Sequence, residues 1–321
     1  DNFECRSSYG RYAHQASHGA QQLYTSFFEP SFRSPLFQHH LNDPRPVQAF
    51  GNCAGCIDGM LVWIHKPSDT ECERTGVDSA KYFCGRKHKY GLNLQAICDV
   101  NRKFLEISIK WGGSASDLVA FETSSLASKL DTPGFLHPDL CLFGDNAYVN
   151  KPTMATPYPN NNTYTVDKDN YNFFHSQVRI AIECAFGILL QRFALLRRKL
   201  PQQFTIRKTM ALVSCLCRVH NFLIERRLQQ NPNVDHENVP DLLAQDELEL
   251  VVDGAALLRR EGNEAAAPEQ LLGGGEHFDD DPARSFRRAR RYRPEQLPRE
   301  KMLRHVINNN LVRPARSRSR V

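Results

Sequence analysis

Short apolar runs with the spacing of β-strands are the first clear pattern along the chain. The run CIDGMLVWIH, residues 56–65, is dense in β-forming residues and predicts a strand. Residues 92–99 and 104–110 flank a four-residue turn and predict a β-hairpin. The short run LCLF, residues 140–143, is typical of a buried strand. The pattern over residues 56–143 therefore predicts a sheet that contains a hairpin.

Apolar residues three or four positions apart predict helices between and after these strands. Following the turn WGGSASD, Ser116 or Asp117 is placed to cap a helix that runs through residue 130. From about residue 170 to 198 the helical spacing is shown by Val178, Ile182, Ala185, Leu189, Phe193 and Leu196. A further helix is predicted over 207–229. The order strand, hairpin, helix, strand, helix, helix predicts an α/β protein with a mixed sheet flanked by helices.

Charge divides the chain more sharply than hydropathy does. The net charge is only +5, but residues 232–283 hold 14 acidic and 2 basic residues, and residues 284–321 hold 13 basic and 2 acidic ones. Blocks of one sign tend to stay solvated. We therefore expect an N-terminal extension over 1–48, a folded domain over 49–231, an acidic linker over 232–283 and a disordered basic tail over 284–321.

Other features of the composition narrow the class of protein. No run approaches the ~18 apolar residues that a membrane span needs, so we expect no membrane partner. The polar start shows no signal peptide, and because it lacks an initiator methionine we expect a truncated or processed form. The 10 cysteines are typical of reduced, intracellular thiols rather than a disulfide framework.

Three acidic residues lie in apolar surroundings where a carboxylate is costly. Asp58 lies within CAGCIDGMLVWI, Asp145 follows LCLFG, and Glu183 lies within IAIECAFGILLQ. A buried charge needs a neutralising partner, and none of the three has a basic residue adjacent in sequence. A divalent metal ion is one candidate for the missing charge, because oxygen ligands suit Mg²⁺ or Mn²⁺.

Ordinary interpretations of the same residues stay open. Asp58 precedes a glycine, and Asp-Gly is a strong turn signal. Asp145 suits a loop or a helix cap, and Arg179, four residues before Glu183, offers that residue a simple salt bridge. Asp99 and Asp117 are further acids near the predicted sheet, placed at the start of a turn and of a helix.

Four segments in register resemble the nuclease domain of the PIF/Harbinger-type DDE transposases. They are AFGNCAGCIDGM, the hairpin block YFCGRKHKYGLNLQAICDVNRKFLEISIKWGGSASD, LFGDNAYVNKPTMATPYP, and FHSQVRIAIECAFGILLQRFALLRR, and together they cover roughly residues 45–225. The resemblance implies an RNase H-like fold and cleavage and joining of DNA with two Mg²⁺ or Mn²⁺ ions. It places the catalytic, metal-binding acids at Asp58, Asp145 and Glu183. General two-metal chemistry favours one acid that bridges both ions, and Asp58 is the candidate for it.

The resemblance also implies partners. DNA is the expected substrate, and a homo-oligomer is the expected assembly. The nucleus is the expected location, because the basic run SFRRARRYRP, residues 285–294, is typical of a nuclear-import or nucleic-acid patch. The segment ahead of residue 49 is too short for the helical DNA-binding unit that members of this family carry, which implies a separate accessory DNA-binding protein. The alternatives are a domesticated protein that binds DNA or a protein partner without cutting, and a nuclease that cleaves RNA.

Basic side chains near the predicted site are candidates for DNA contacts. Arg86, Lys87 and Lys89 precede the hairpin, and Arg192, Arg197 and Arg198 end the helix of Glu183. Lysine and arginine neutralise phosphates, which dominate affinity for DNA. A solvated loop explains the first group equally well, and complementarity to the helix dipole explains the second.

Overall fold

The computed structural model describes residues 50–230 and 292–314. The expected N-terminal extension, 1–48, and acidic linker, 232–283, lie outside these residues. Within them the chain forms six strands: β1 Cys53–Trp63, β2 Phe83–Cys84, β3 Lys89–Cys98, β4 Phe104–Gly112, β5 Cys141–Phe143 and β6 Met154–Ala155. It also forms six α-helices: α1 Asp69–Thr75, α2 Asp117–Glu122, α3 Ser125–Leu130, α4 Val166–Arg192, α5 Ile206–Gln230 and α6 Pro298–Asn308.

The strands form one mixed sheet with β1 near its centre. On one side β1 pairs antiparallel with β3, which in turn pairs antiparallel with β4 and with the short β2. On the other side β1 pairs parallel with β5, and β5 pairs parallel with β6. An antiparallel hairpin that passes into parallel strands, with helices on both faces, confirms the expected α/β, RNase H-like architecture.

Side chains alternate across β1 and supply a hydrophobic core to each face of the sheet. Cys56, Met60 and Val62 are buried on the face that α4 and α5 cover. Ile57 points the other way, into a smaller core with residues of α2 and α3 such as Phe121. This two-residue period decides which helix each residue of β1 meets.

Helix boundaries differ from the prediction where local capping intervenes. The single helix expected from Asp117 to residue 130 is two helices, because the first ends at Glu122 and Ser124 caps the second, its hydroxyl accepting from the amide of Ala127 at 3.2 Å. α4 begins at Val166, earlier than expected, because Thr165 caps it by accepting from the amide of Lys168 at 3.3 Å. Polar side chains thus set these ends more closely than the apolar spacing does.

α4 is the longest described helix and the centre of the larger core. Among the described residues it is the one helix long and apolar enough, by length and composition, to span a membrane. However, 56% of its most apolar stretch is buried in the fold, where it packs on β1, β3 and β5. α4 thus has the composition of a helix at the centre of a protein core.

The expectation of a tail without fixed structure over 284–321 is wrong for residues 292–314. This stretch contains α6, which packs on α4 and buries Met302 and Val306, and Leu311, just after the helix, is buried as well. Met302 and Val306 are four residues apart and so share one helical face, whereas Ile307 is exposed. The basic composition outweighed this short apolar stripe in the prediction, although the stripe is what docks the segment.

Candidate active site

Asp58 lies in the middle of β1, on the face that α4 covers. Its Oδ1 accepts a hydrogen bond from the amide of Gly59 at 2.8 Å, and its side chain is 21% exposed. Burial raises the pKa of Asp58 to about 7; Arg179 opposes this shift, and the charge of Asp145 adds to it. The Arg179 guanidinium therefore favours the charged form of Asp58 against the effect of burial.

Asp145 is brought beside Asp58 by the parallel pairing of β5 with β1. Phe143, the last residue of β5, lies opposite Cys56, so the loop that holds Asp145 leaves the sheet near Asp58, and the charge of Asp145 contributes to the raised pKa of Asp58. A turn fixes the loop, in which the amide of Ala147 donates to Oδ1 of Asp145 at 2.9 Å. Burial raises the pKa of Asp145, and the charge of Arg179 partly offsets this shift.

Glu183 approaches from α4, and Arg179 links it to Asp58. One guanidinium nitrogen of Arg179 donates to Oδ2 of Asp58 at 3.1 Å, and the other donates to Oε1 of Glu183. Burial disfavours the charge of Arg179, but Asp58, Glu183 and Asp145 more than offset it, so the pKa of Arg179 is raised. The salt bridge left open for Glu183 is present, and it extends to a second acid.

Asp117 is a fourth acid at this place, supplied from the other face of the sheet. Its Oδ1 accepts from Gln95 at 2.7 Å and from Asn93 at 3.1 Å, and its charge raises the pKa of both Asp58 and Asp145. Asp99, by contrast, lies in the β3–β4 turn, where its Oδ1 accepts from the amide of Lys103 at 2.8 Å. Of the two additional acids, only Asp117 is within electrostatic range of Asp58 and Asp145.

A buried polar network supports Asp117 and was missed in the sequence. Gln95 donates to Asn93 at 2.8 Å and accepts from the hydroxyl of Tyr148 at 2.7 Å. The available signal was the pair of amide side chains in the otherwise apolar strand GLNLQAIC. Amides alternating with apolar residues in a buried strand indicate a polar face that needs partners.

The basic residues predicted to contact DNA differ in how close they lie to the acids and in whether they already contact other groups of the protein. Arg86 is exposed, and its charge lowers the pKa of Asp145. Lys87 is partly buried, and the ammonium of Lys89 lies 3.4 Å from the centre of the Trp63 ring. At the end of α4 the remaining three are engaged or exposed: Arg192 donates to the carbonyl of His220, Arg197 donates to that of Leu190, and Arg198 is exposed.

The carboxylate oxygens of this site suit hard divalent cations, but the guanidinium of Arg179 lies between Asp58 and Glu183. In the part of the chain that the structure describes, no group of three or more acids, histidines or cysteines is arranged to hold a metal ion. The carboxylate oxygens of Asp58, Asp145 and Glu183 are nevertheless the ligand type that Mg²⁺ and Mn²⁺ prefer. Arg179 lies where it neutralises Asp58 and Glu183 directly.

An RNase H-like sheet, with one acid on β1 and a second just after the neighbouring parallel strand β5, defines the class of this protein. The model of the DDE superfamily endonuclease family matches residues 57–221, just over half of the chain, and the chain belongs to this family. It is similar to "Putative nuclease HARBI1" of Bos taurus, with 25% identity over 65% of this chain and 63% of the relative. It is also similar to "Protein ALP1-like" of Arabidopsis thaliana, with 22% identity over 58% of this chain and 49% of the relative.

These matches confirm the resemblance to the PIF/Harbinger-type transposase nuclease domain. The chain spans about half to two thirds of the length of the curated relatives it matches. No solved structure matches the chain significantly.

Proposed function

We propose that this protein is a metal-dependent DNA endonuclease or strand transferase of transposon origin. The observation that carries the proposal is the convergence of three acids: Asp58 lies on β1, Asp145 lies in the loop that follows the adjacent parallel strand β5, and Glu183 is joined to Asp58 through Arg179. The motif resemblance assigns the chemistry to these three acids, and all three lie within residues 57–221, which the DDE superfamily endonuclease family matches. DNA is the proposed substrate, and the nucleus the proposed location.

Asp58, Asp145 and Glu183 would hold the Mg²⁺ or Mn²⁺ ions. When bound, such ions activate an attacking oxygen and stabilise charge on the leaving oxygen of a phosphodiester. The protein itself positions the acids: the Gly59 amide orients Asp58, the Ala147 amide orients Asp145, and the helix fixes Glu183. The amide network behind Asp117 keeps that additional negative charge close to them.

The basic side chains have separate roles in the proposal. Arg86 is exposed and electrostatically coupled to Asp145, so it is the best placed to contact a phosphate of DNA. Lys87, Lys89 and Arg198 would add to the attraction at longer range. Arg192 and Arg197 already satisfy backbone carbonyls, so helix stabilisation accounts for part of their role.

Nicking of supercoiled plasmid DNA in Mg²⁺ or Mn²⁺ tests the proposal. The wild-type protein is expected to nick only with metal present, and Asp145→Asn to fall to background. Asp139→Asn is the matched control, because Asp139 is an acid whose side chain is 80% exposed, and it should retain wild-type activity. Equal nicking by wild type and Asp145→Asn would overturn the assignment.

The same experiment separates the other candidate functions. A protein that binds DNA in a gel-shift assay but does not nick it under any metal condition would be a domesticated binding protein. This candidate is favoured by the salt bridges of Arg179 with Asp58 and Glu183, which neutralise two of the proposed metal ligands. Cleavage of an RNA strand in preference to DNA would indicate an RNA nuclease. An accessory DNA-binding protein and a homo-oligomer are further proposals, which co-purification and light scattering test.

A further inference from the structure

Arg179 is the one basic residue described above that contacts two of the candidate metal-binding acids. Its guanidinium joins Asp58 on β1 to Glu183 on α4, two elements that are far apart in sequence. The side chain is only 19% exposed, so it is packed between the sheet and the helix rather than extended into solvent. Both prongs of the guanidinium are used, one on each acid.

We propose that Arg179 is an internal counter-cation of this site, which holds the acids together in the metal-free protein and competes with divalent ions for Asp58 and Glu183. The inference rests on the proposed function, because it takes these acids to be metal ligands. It assigns to Arg179 a positioning role in the protein before the metal ions bind.

Electrostatics explains why such a cation is needed. The charge of Asp145 raises the pKa of Asp58, and the charge of Asp117 raises the pKa of both. Both side chains are largely buried. Several partly desolvated carboxylates repel one another unless a positive charge lies among them. Arginine suits this role, because its charge is permanent and its planar fork can reach two carboxylates at once.

Arg179 binds an oxygen on each of two acids that a metal ion would use. Each oxygen of Asp58 accepts one hydrogen bond, Oδ1 from the amide of Gly59 and Oδ2 from Arg179, and Oε1 of Glu183 accepts from the second guanidinium nitrogen. A guanidinium and a divalent cation held by the same carboxylate repel each other. Binding of the ion therefore weakens the contacts of Arg179 with Asp58 and Glu183, and the energy lost there is subtracted from the affinity for metal.

The test measures Mn²⁺ binding and thermal stability in the full chain, with no nuclease assay. Wild type, Arg179→Gln and Arg179→Lys are titrated with Mn²⁺ by isothermal calorimetry, and their melting temperatures are compared in EDTA and in Mn²⁺. Arg74→Gln is the matched control, because Arg74 also pairs with a glutamate, Glu71, but on an exposed helix.

Arg179→Gln is expected to melt lower than wild type in EDTA and to bind Mn²⁺ about tenfold more tightly, the effect of losing roughly 1.4 kcal/mol of competition. Arg179→Lys keeps one charge but has no fork, so we expect it to fold and to show an intermediate affinity. Arg74→Gln should bind Mn²⁺ as wild type does. A purely structural arginine would lower the melting temperature without tightening Mn²⁺ binding.

Unchanged or weaker Mn²⁺ binding in Arg179→Gln would overturn the competition. If that variant does not fold even in Mn²⁺, Arg179→Lys decides, and wild-type or weaker affinity in it overturns the proposal. Asp58→Asn distinguishes this failure from failure of the proposed function. If wild type binds no Mn²⁺, or binds it equally well with Asp58→Asn, the metal assignment itself is wrong.

Discussion

Gly59 leaves the space that Asp117 occupies: a Cβ placed on Gly59 would lie 1.9 Å from Oδ1 of Asp117. The same atom would lie 2.5 Å from Nε2 of Gln95, which donates to that oxygen. The glycine after Asp58 is therefore required for the close approach of a fourth acid from the opposite face. Its role is not the Asp-Gly turn that the sequence also allowed, because Gly59 lies within β1.

Gly59→Ala should destabilise the protein by about 1–3 kcal/mol, since the added methyl overpacks this contact. Urea unfolding of the full chain measures the change. Gly85→Ala is the control, because no atom lies within 4 Å of a Cβ built there, and its effect should stay within about 0.5 kcal/mol. Asp117→Ala removes the clashing oxygen, so Gly59→Ala should cost less in that background. An equal cost in both backgrounds would mean that Asp117 is not the cause.

The candidate acids could be chosen from the local sequence, but most of the contacts between them could not be predicted from it. Asp58, Asp145 and Glu183 could each be chosen because an acid in an apolar run is conspicuous. The salt bridge from Arg179 to Glu183 was visible as a four-residue spacing on one helix. Its contact with Asp58 was not, because it spans 121 residues and depends on how α4 packs on β1.

The fold shows the same division between local and long-range information. The hairpin of β3 and β4 and the long helix α4 follow from periodicity, and both are present. The strands β2 and β6 have two residues each, too few for any periodic signal. α1 was missed because its residues are mostly charged, and its caps at Ser68 and Gly76 are the signals that define it.

His220 should make the protein sensitive to acid. It is fully buried against Phe104, with its Nε2 2.8 Å from the carbonyl of Arg102, and burial lowers its pKa to about 4 from the usual 6.5. The unfolded chain therefore binds a proton below about pH 6.5, whereas the folded protein does not until about pH 4. Stability is fully present above this window and is lost as the pH falls through it, by about 2 kcal/mol between pH 7 and pH 5.

The comparison of His220→Gln with wild type isolates this contribution. The variant should be less stable at pH 7 but should lose about 2 kcal/mol less than wild type on going to pH 5. Burial raises the pKa of Asp99 to about 6, so Asp99 favours the folded state as the pH falls. This effect is present in both proteins and cancels in the comparison. His65→Gln is the control, because His65 is exposed. Parallel stability curves for wild type and His220→Gln would refute the assignment.

Arg86 should contribute to DNA affinity through its charge alone. It is exposed and lies within electrostatic range of Asp145, which places a cation at the edge of the acid cluster. Arg86→Gln should weaken binding to any DNA sequence and lower the slope of log affinity against log salt by about 1. Fluorescence anisotropy with a labelled duplex at several salt concentrations measures both quantities. Lys129→Gln, an exposed cation on α3 at the other face of the sheet, should leave the slope unchanged. Equal slopes for all three proteins would remove Arg86 from the interface.

Met302 tests whether α6 belongs to the folded domain. Its side chain is 2% exposed and packs in the larger core, whereas Ile307, on the same helix, is 45% exposed. Met302→Ala should cost about 2–5 kcal/mol, because it leaves a cavity between α6 and the core. Ile307→Ala removes a side chain of similar size from the solvent side, so it should change stability by less than about 0.5–1 kcal/mol. Urea unfolding of the two variants measures the contrast. A basic tail that merely lies against the surface would give the same small value for both, because neither side chain would then fill space in the core.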